Sequence, residues 1–83
     1  MADTAVFRRH GRVLTTTVTP QTLLEWRPGD IVSWRLPMDR THIGIVSDTV
    51  GPHGVPYVIH NVSAVAEEDV LTRWRIVGHF RYP

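Results

Sequence analysis

Two histidines carry most of the chemistry this sequence could offer. His42 heads the run His42-Ile-Gly-Ile-Val46, and His60 lies near the end of Pro56-Tyr-Val-Ile-His60-Asn-Val62. Imidazole is the side chain best suited to take up and return a proton near neutral pH. If these runs are neighbouring strands that turn back between residues 48 and 56, a hairpin closing near residue 51 or 52 sets His42 against residues 60 to 62. One imidazole could then orient the other through its second ring nitrogen. Gly44 lies two residues after His42 and so shares its strand face. Its missing side chain predicts open space beside the ring, where a substrate or nucleophile would stand. Asp39, close in sequence to His42, and Asn61, beside His60 but on the other strand face, are auxiliary orienters.

A base and its orienter need something to activate. Ser33 and Ser47 are the serines nearest these runs, and neither sits in a nucleophile elbow. The sequence holds no cysteine, which excludes a disulfide framework, a thiolate metal site and a cysteine nucleophile within this chain. Two histidines with Asp39 or Asp48 could instead hold a metal, although no metal or cofactor is expected. In the plainest alternative, His42 and His60 only satisfy backbone groups at a sheet edge. His10, His53 and His79 read as structural or exposed, and Trp26, Trp34 and Trp74 as core.

The elements that must position the pair follow from turn signals and alternation. Pro28-Gly29-Asp30 reads as a turn that launches a strand. Four strands are expected, at residues 30–36, 42–48, 56–62 and 73–82, forming a strongly bent antiparallel sheet or partly open barrel. In the last of these, Trp74, Ile76, Gly78, Phe80 and Tyr82 alternate with Arg75, Val77, His79 and Arg81, the pattern of a half-buried strand. Ahead of the sheet, residues 1–12 predict a short helix ending at Gly11. Thr19 and Pro20 predict a second helix, capped by Thr19, with Leu23, Leu24 and Trp26 on its buried side, and stopped by Pro28. Residues 13–19 read as an extended connection or an edge strand, and residues 62–71 as a loop with one irregular turn. The fold class expected is therefore α+β: one small domain or half-domain over 1–83, with a helical or extended lead-in over 1–29 and the sheet over 30–83.

Composition sets outer limits. The chain has 83 residues, 42% hydrophobic and 20% charged, with a net charge of +1; that is ordinary globular composition, not disorder. No run approaches the ~18 apolar residues of a membrane-spanning helix. The N-terminus has no apolar signal core, because Asp3, Arg8, Arg9 and Arg12 interrupt it, so the default expectation is cytoplasmic. Arg8, Arg9 and Arg12 with His10 form a small basic patch. No recognised nucleic-acid module surrounds it, so a nucleic-acid-binding barrel is the weakest reading.

In combination, Trp26-x-Pro-Gly-Asp-Ile-Val-x-Trp34, Thr41-His-Ile-Gly-Ile-Val-Ser-Asp48, Val58-Ile-His-Asn61 and Trp74-Arg-Ile-Val-Gly-His-Phe-Arg-Tyr82 resemble a bacterial family of uncharacterised proteins, the domain-of-unknown-function family 1287. The resemblance covers nearly the whole chain. That family in turn looks like a branch of the papain-like NlpC/P60 hydrolases, which cut peptide or amide bonds, often in peptidoglycan. The resemblance implies a Cys–His–His arrangement, with His42 as general base, His60 as its orienter, and the C-terminal half of the hydrolase fold. The cysteine helix of such enzymes lies upstream and has no counterpart here. The chain would then be a fragment, a remnant, or the partner of a complementary chain carrying the cysteine helix, and in the first two cases inactive alone. The parent would be exported to the envelope and take a cell-wall peptide. The competing expectation is a non-catalytic module that homodimerises or binds a partner through apolar surface left exposed.

Overall fold

The fold begins at Pro28-Gly29. In the computed structural model, which describes residues 12–82, the Asp30 amide donates to Arg27 O at 3.0 Å and Gly29 has a φ of +89°. Proline then glycine at the two central positions is the chemistry of a type II turn. The turn delivers the chain into β2 (Ile31–Leu36), which follows the short strand β1 (Arg12–Val13). After β2 come β3 (Arg40–Val50), β4 (Pro56–Asn61), β5 (Val65–Glu68) and β6 (Arg75–Arg81). All neighbours pair antiparallel in the order β1-β6-β2-β3-β4-β5. The sheet is open, with β1 and β5 as its edges.

The α+β expectation needs correction. Among the described residues there is no α-helix, only 3-10 turns at Leu23–Glu25 and Pro37–Asp39. The expected helix over residues 1–12 falls outside the described residues except for Arg12, which lies in β1. The second expected helix is replaced by tight turns. Thr22 and Leu23 both donate to Thr19 O, while Glu25 and Trp26 donate three residues back, to Thr22 O and Leu23 O. Only seven residues separate Pro20 from Pro28, too few to offset the cost of nucleating a helix. Leu24, expected on a buried side, is 92% exposed. β1 falls at the start of the stretch read as an extended connection or an edge strand and is an edge strand, whereas β5, within the stretch that reads as a loop, was not expected.

The main core lies on one sheet face. Val32, Trp34, Val46 and Val58 project from β2, β3 and β4 to meet Trp26, Val70 and Leu71. A register shift between Ser33 and Trp34 sets Ser33 against Gly78 but Trp34 against Ile76 in β6. As a result β6 is buried on both sides, not half-buried: His79 and Phe80 are adjacent, on opposite faces, and both at 0% exposure. A residue that alternation puts outside is thus inside.

Burying His79 requires partners for both ring nitrogens. Nε2 donates to Asp30 Oδ2 at 2.5 Å, and Nδ1 donates to Thr15 O at 2.7 Å. The ring lies flat on Trp26, with centroids 3.7 Å apart. Arg81 closes the cluster, with Nε on Asp30 Oδ1 and Nη2 on Asp30 Oδ2, each at 2.7 Å. Burial pushes the Asp30 carboxyl up, but hydrogen bonds from Arg81, the Arg27 amide and His79 outweigh it and hold the group below the usual carboxylate value. This cluster pins the lead-in, through Thr15, Trp26 and Arg27, to the sheet.

Candidate functional site

His42 in β3 stands opposite Trp34 of β2, and His60 in β4 stands opposite Gly44 of β3. His42 and His60 are therefore diagonal neighbours on one face, within reach of long or aromatic side chains. His42 Nε2 and His60 Nδ1 are 2.9 Å apart, with the rings crossed at 71°. The other nitrogen of His60, Nε2, lies 2.7 Å from Glu68 Oε1 in β5. His60 is almost wholly buried, whereas the Glu68 side chain is half-exposed.

The network assigns the tautomers. An ionised carboxylate only accepts, so His60 Nε2 carries the hydrogen. In the neutral ring His60 Nδ1 is then an acceptor, and the hydrogen between the rings belongs to His42 Nε2. The lone pair of neutral His42 is left on Nδ1, which no described residue hydrogen-bonds. Burial, followed by the nearby charge of His60 when protonated, pushes His42 below the ordinary histidine value. At neutral pH the ring is accordingly an uncharged base.

Two indoles hold that base in place. Trp34 stacks on His42 with centroids 5.3 Å apart at 23°, and Trp74 meets it edge-on at 5.5 Å and 85°. Trp34 is itself fixed by its Nε1–H bond to Leu71 O at 2.9 Å. Trp34 also overturns the expectation of open space over Gly44. A Cβ built at Gly44 would lie 2.5 Å from Val58 Cγ1 and 2.9 Å from Trp34 Cη2. The glycine admits the indole, not a ligand.

The auxiliary candidates stand elsewhere. Asp39 is turned to Arg35 Nη1 at 2.5 Å, in an exposed pair. Asn61 is exposed and pairs with Val65 along the β4–β5 ladder. Ser47 donates to Glu67, and the buried Ser33 hydroxyl has no hydrogen-bond partner among the described residues; neither bonds to the histidines. Among the described residues no three of His, Asp and Glu are grouped to hold a metal ion. His53 is exposed in the β3–β4 turn. Glu68 escaped the sequence reading because residues 62–71 look like a loop. The available signal was the Asn61-to-Val65 turn, after which Ala66 and Glu68 share a face by alternation.

The model of a domain of unknown function, DUF1287, matches residues 2–82. The chain belongs to the DUF1287 family. Among curated proteins, the uncharacterized protein YijF of Escherichia coli (strain K12) is 51% identical over 77 residues, covering 92% of this DUF1287 chain and 36% of YijF. The chain thus spans about a third of that relative's length. No solved structure matches it. Neither match names a chemistry, so any activity of this DUF1287 chain has to be argued from its side chains. Among the described residues no helix is long and apolar enough to cross a membrane.

Proposed function

We propose that this chain is the histidine-bearing part of an NlpC/P60-type amidase or peptidase site, whose nucleophilic cysteine comes from a segment outside these 83 residues. The observation that supports it most is the 2.9 Å contact between His42 Nε2 and His60 Nδ1, which leaves the lone pair on His42 Nδ1 as the base. In the complete site that nitrogen takes the thiol proton, and the thiolate adds to a peptide or amide carbonyl. The C–N bond then breaks as His42 returns the proton to the departing amine. Water, deprotonated by the same nitrogen, releases the acid from the thioester. His60 keeps the His42 ring in the working tautomer. Cell-wall peptides at the bacterial envelope are the substrates this reading favours. Alone, the chain has no nucleophile and does not turn over.

The test is to join the chain to the remaining part of a longer relative, or to co-express the two, and follow cleavage of a cell-wall peptide. Hydrolysis should appear, and be lost on His42→Ala and on alkylation of the cysteine. Cleavage that survives both treatments, or a longer relative without cysteine, refutes the reading.

One observation favours a second reading, a non-catalytic docking module. On the sheet face away from the main core, Ile45 and Ile59 pair directly across β3 and β4 while 47% and 39% exposed. Apolar cross-strand pairs left this open mark a surface that a partner or a second copy covers. A stable dimer that dissociates on Ile45→Lys, with no hydrolysis under any complementation, would favour it.

A further inference from the structure

β5 carries two adjacent glutamates that go to opposite faces. Glu67 stands opposite Ile59 and accepts from Ser47; Glu68 stands opposite Val58, on the face of the histidine pair, and meets His60. We infer that Glu68 is a positioning residue that selects, through His60, which nitrogen of His42 is basic.

The inference follows from hydrogen-bond directions. Without a carboxylate at His60 Nε2, His60 could carry its hydrogen on Nδ1 and donate it to His42 Nε2. His42 would then hold its own hydrogen on Nδ1, and that nitrogen would no longer be a base. With the carboxylate in place only the opposite chain is satisfied: Glu68 accepts from His60, and His60 accepts from His42. A charge-assisted bond to a half-exposed carboxylate biases this choice by about tenfold. The charge has a second effect. When His42 takes a proton at Nδ1, the cation is linked through His60 to the Glu68 carboxylate.

Among the described residues, the charged groups near the pair are few. β5 supplies Glu68 and β4 supplies His60. β2 supplies only the uncharged Trp34, and the segment before β6 supplies Trp74, with the Arg73 guanidinium 5.3 Å from its ring centroid. Arg35 of β2 is engaged by Asp39. The catalytic meaning of Glu68 rests on the hydrolase reading; the proton arrangement does not.

The experiment is proton-detected nitrogen NMR of the histidine rings in the full chain at pH 7.5. Wild type should show hydrogen on Nε2 of both His42 and His60, with both Nδ1 atoms bare. Glu68→Gln and Glu68→Ala should each mix the tautomers at both rings and lower the pH at which His42 protonates. Glu67→Gln should change neither ring. An unshifted Trp34 Nε1–H resonance shows that each variant keeps its fold. Unchanged tautomers in a folded Glu68→Ala chain would overturn the inference, as would an equal change in Glu67→Gln. Because no thiol or substrate is needed, failure here is separable from failure of the hydrolase reading, which the complementation assay decides.

Discussion

Asp30→Asn tests the buried cluster most directly. The carboxylate accepts four hydrogen bonds: from His79 Nε2, Arg81 Nη2 and the Arg27 amide on Oδ2, and from Arg81 Nε on Oδ1. Asparagine has one acceptor and one NH2. If its oxygen keeps the Oδ2 contacts, the NH2 faces Arg81 Nε and one charge-assisted bond is lost, about 1.5–3 kcal/mol. If it flips, three are lost. In both cases the Arg81 guanidinium loses its anion, and breaking a buried pair this way costs about 3–5 kcal/mol. Taking about 3 kcal/mol as the expected loss, a domain of this size should melt about 12–24 °C lower. Urea unfolding should show a lower midpoint with an unchanged slope. The wild type should also show a pH signature. The folded Asp30 value is depressed, so its contribution is complete above the unfolded carboxyl value of about 4 and is lost as pH falls through the folded one. Asp30→Asn should flatten that acid limb. A loss under about 1 kcal/mol, with the acid limb unchanged, would refute the reasoning.

Gly44→Ala should cost about 1–3 kcal/mol, because the new methyl meets Val58 and a Trp34 ring already bonded to Leu71; denaturant unfolding measures it, and the Trp34 fluorescence should shift. Met38 has a φ of 65° and is 90% exposed, so Met38→Gly should stabilise by about 0.5 kcal/mol, read as a higher urea midpoint. His42 has a depressed folded value, so the unfolded chain binds the extra proton first. Stability should fall as pH drops below about 6.5 and level off below the folded value, and His42→Ala should remove that segment of the curve. Trp34→Phe should lose about 1–3 kcal/mol by leaving Leu71 O unpaired in the core, seen as a lower melting temperature.

Much of the sheet was legible because its strands announce themselves locally. Pro28-Gly29 fixes the entry to β2, alternation marks β2, β3 and β4, and Gly51 and Gly54 punctuate the return. The hairpin count from that return brought the region of His42 near His60, although a register shift between Val46 and Val50, which local patterns do not encode, sets the final pairing of Gly44 with His60. The rest depends on long-range contacts that local patterns do not encode. The side of β6 that faces inward is set by a bulge against β2 and by the pairing of His79 with Asp30, far away in sequence. Filling the space over Gly44 takes an indole from the neighbouring strand, which composition alone cannot place. Leu23, Leu24 and Trp26 looked like a helix face, but two prolines leave too little chain for one. Glu68 was missed because β5 is four residues long and owes its pairing to β4 more than to its own propensity.

The strand order has a consequence for how the molecule reaches its native state. β6, the last strand in sequence, sits between β1 and β2, and Arg12 pairs with Arg81. The meander from β2 to β5, with Trp26 packed on it, can assemble from near neighbours, but Arg12 to Leu14 have no strand to pair with until β6 arrives. Topologies dominated by such distant pairings fold in about milliseconds to seconds. During synthesis, the flank of β2 that β6 will cover stays an unpaired edge until β6 itself has left the ribosome, and that interval is when self-association is most to be feared.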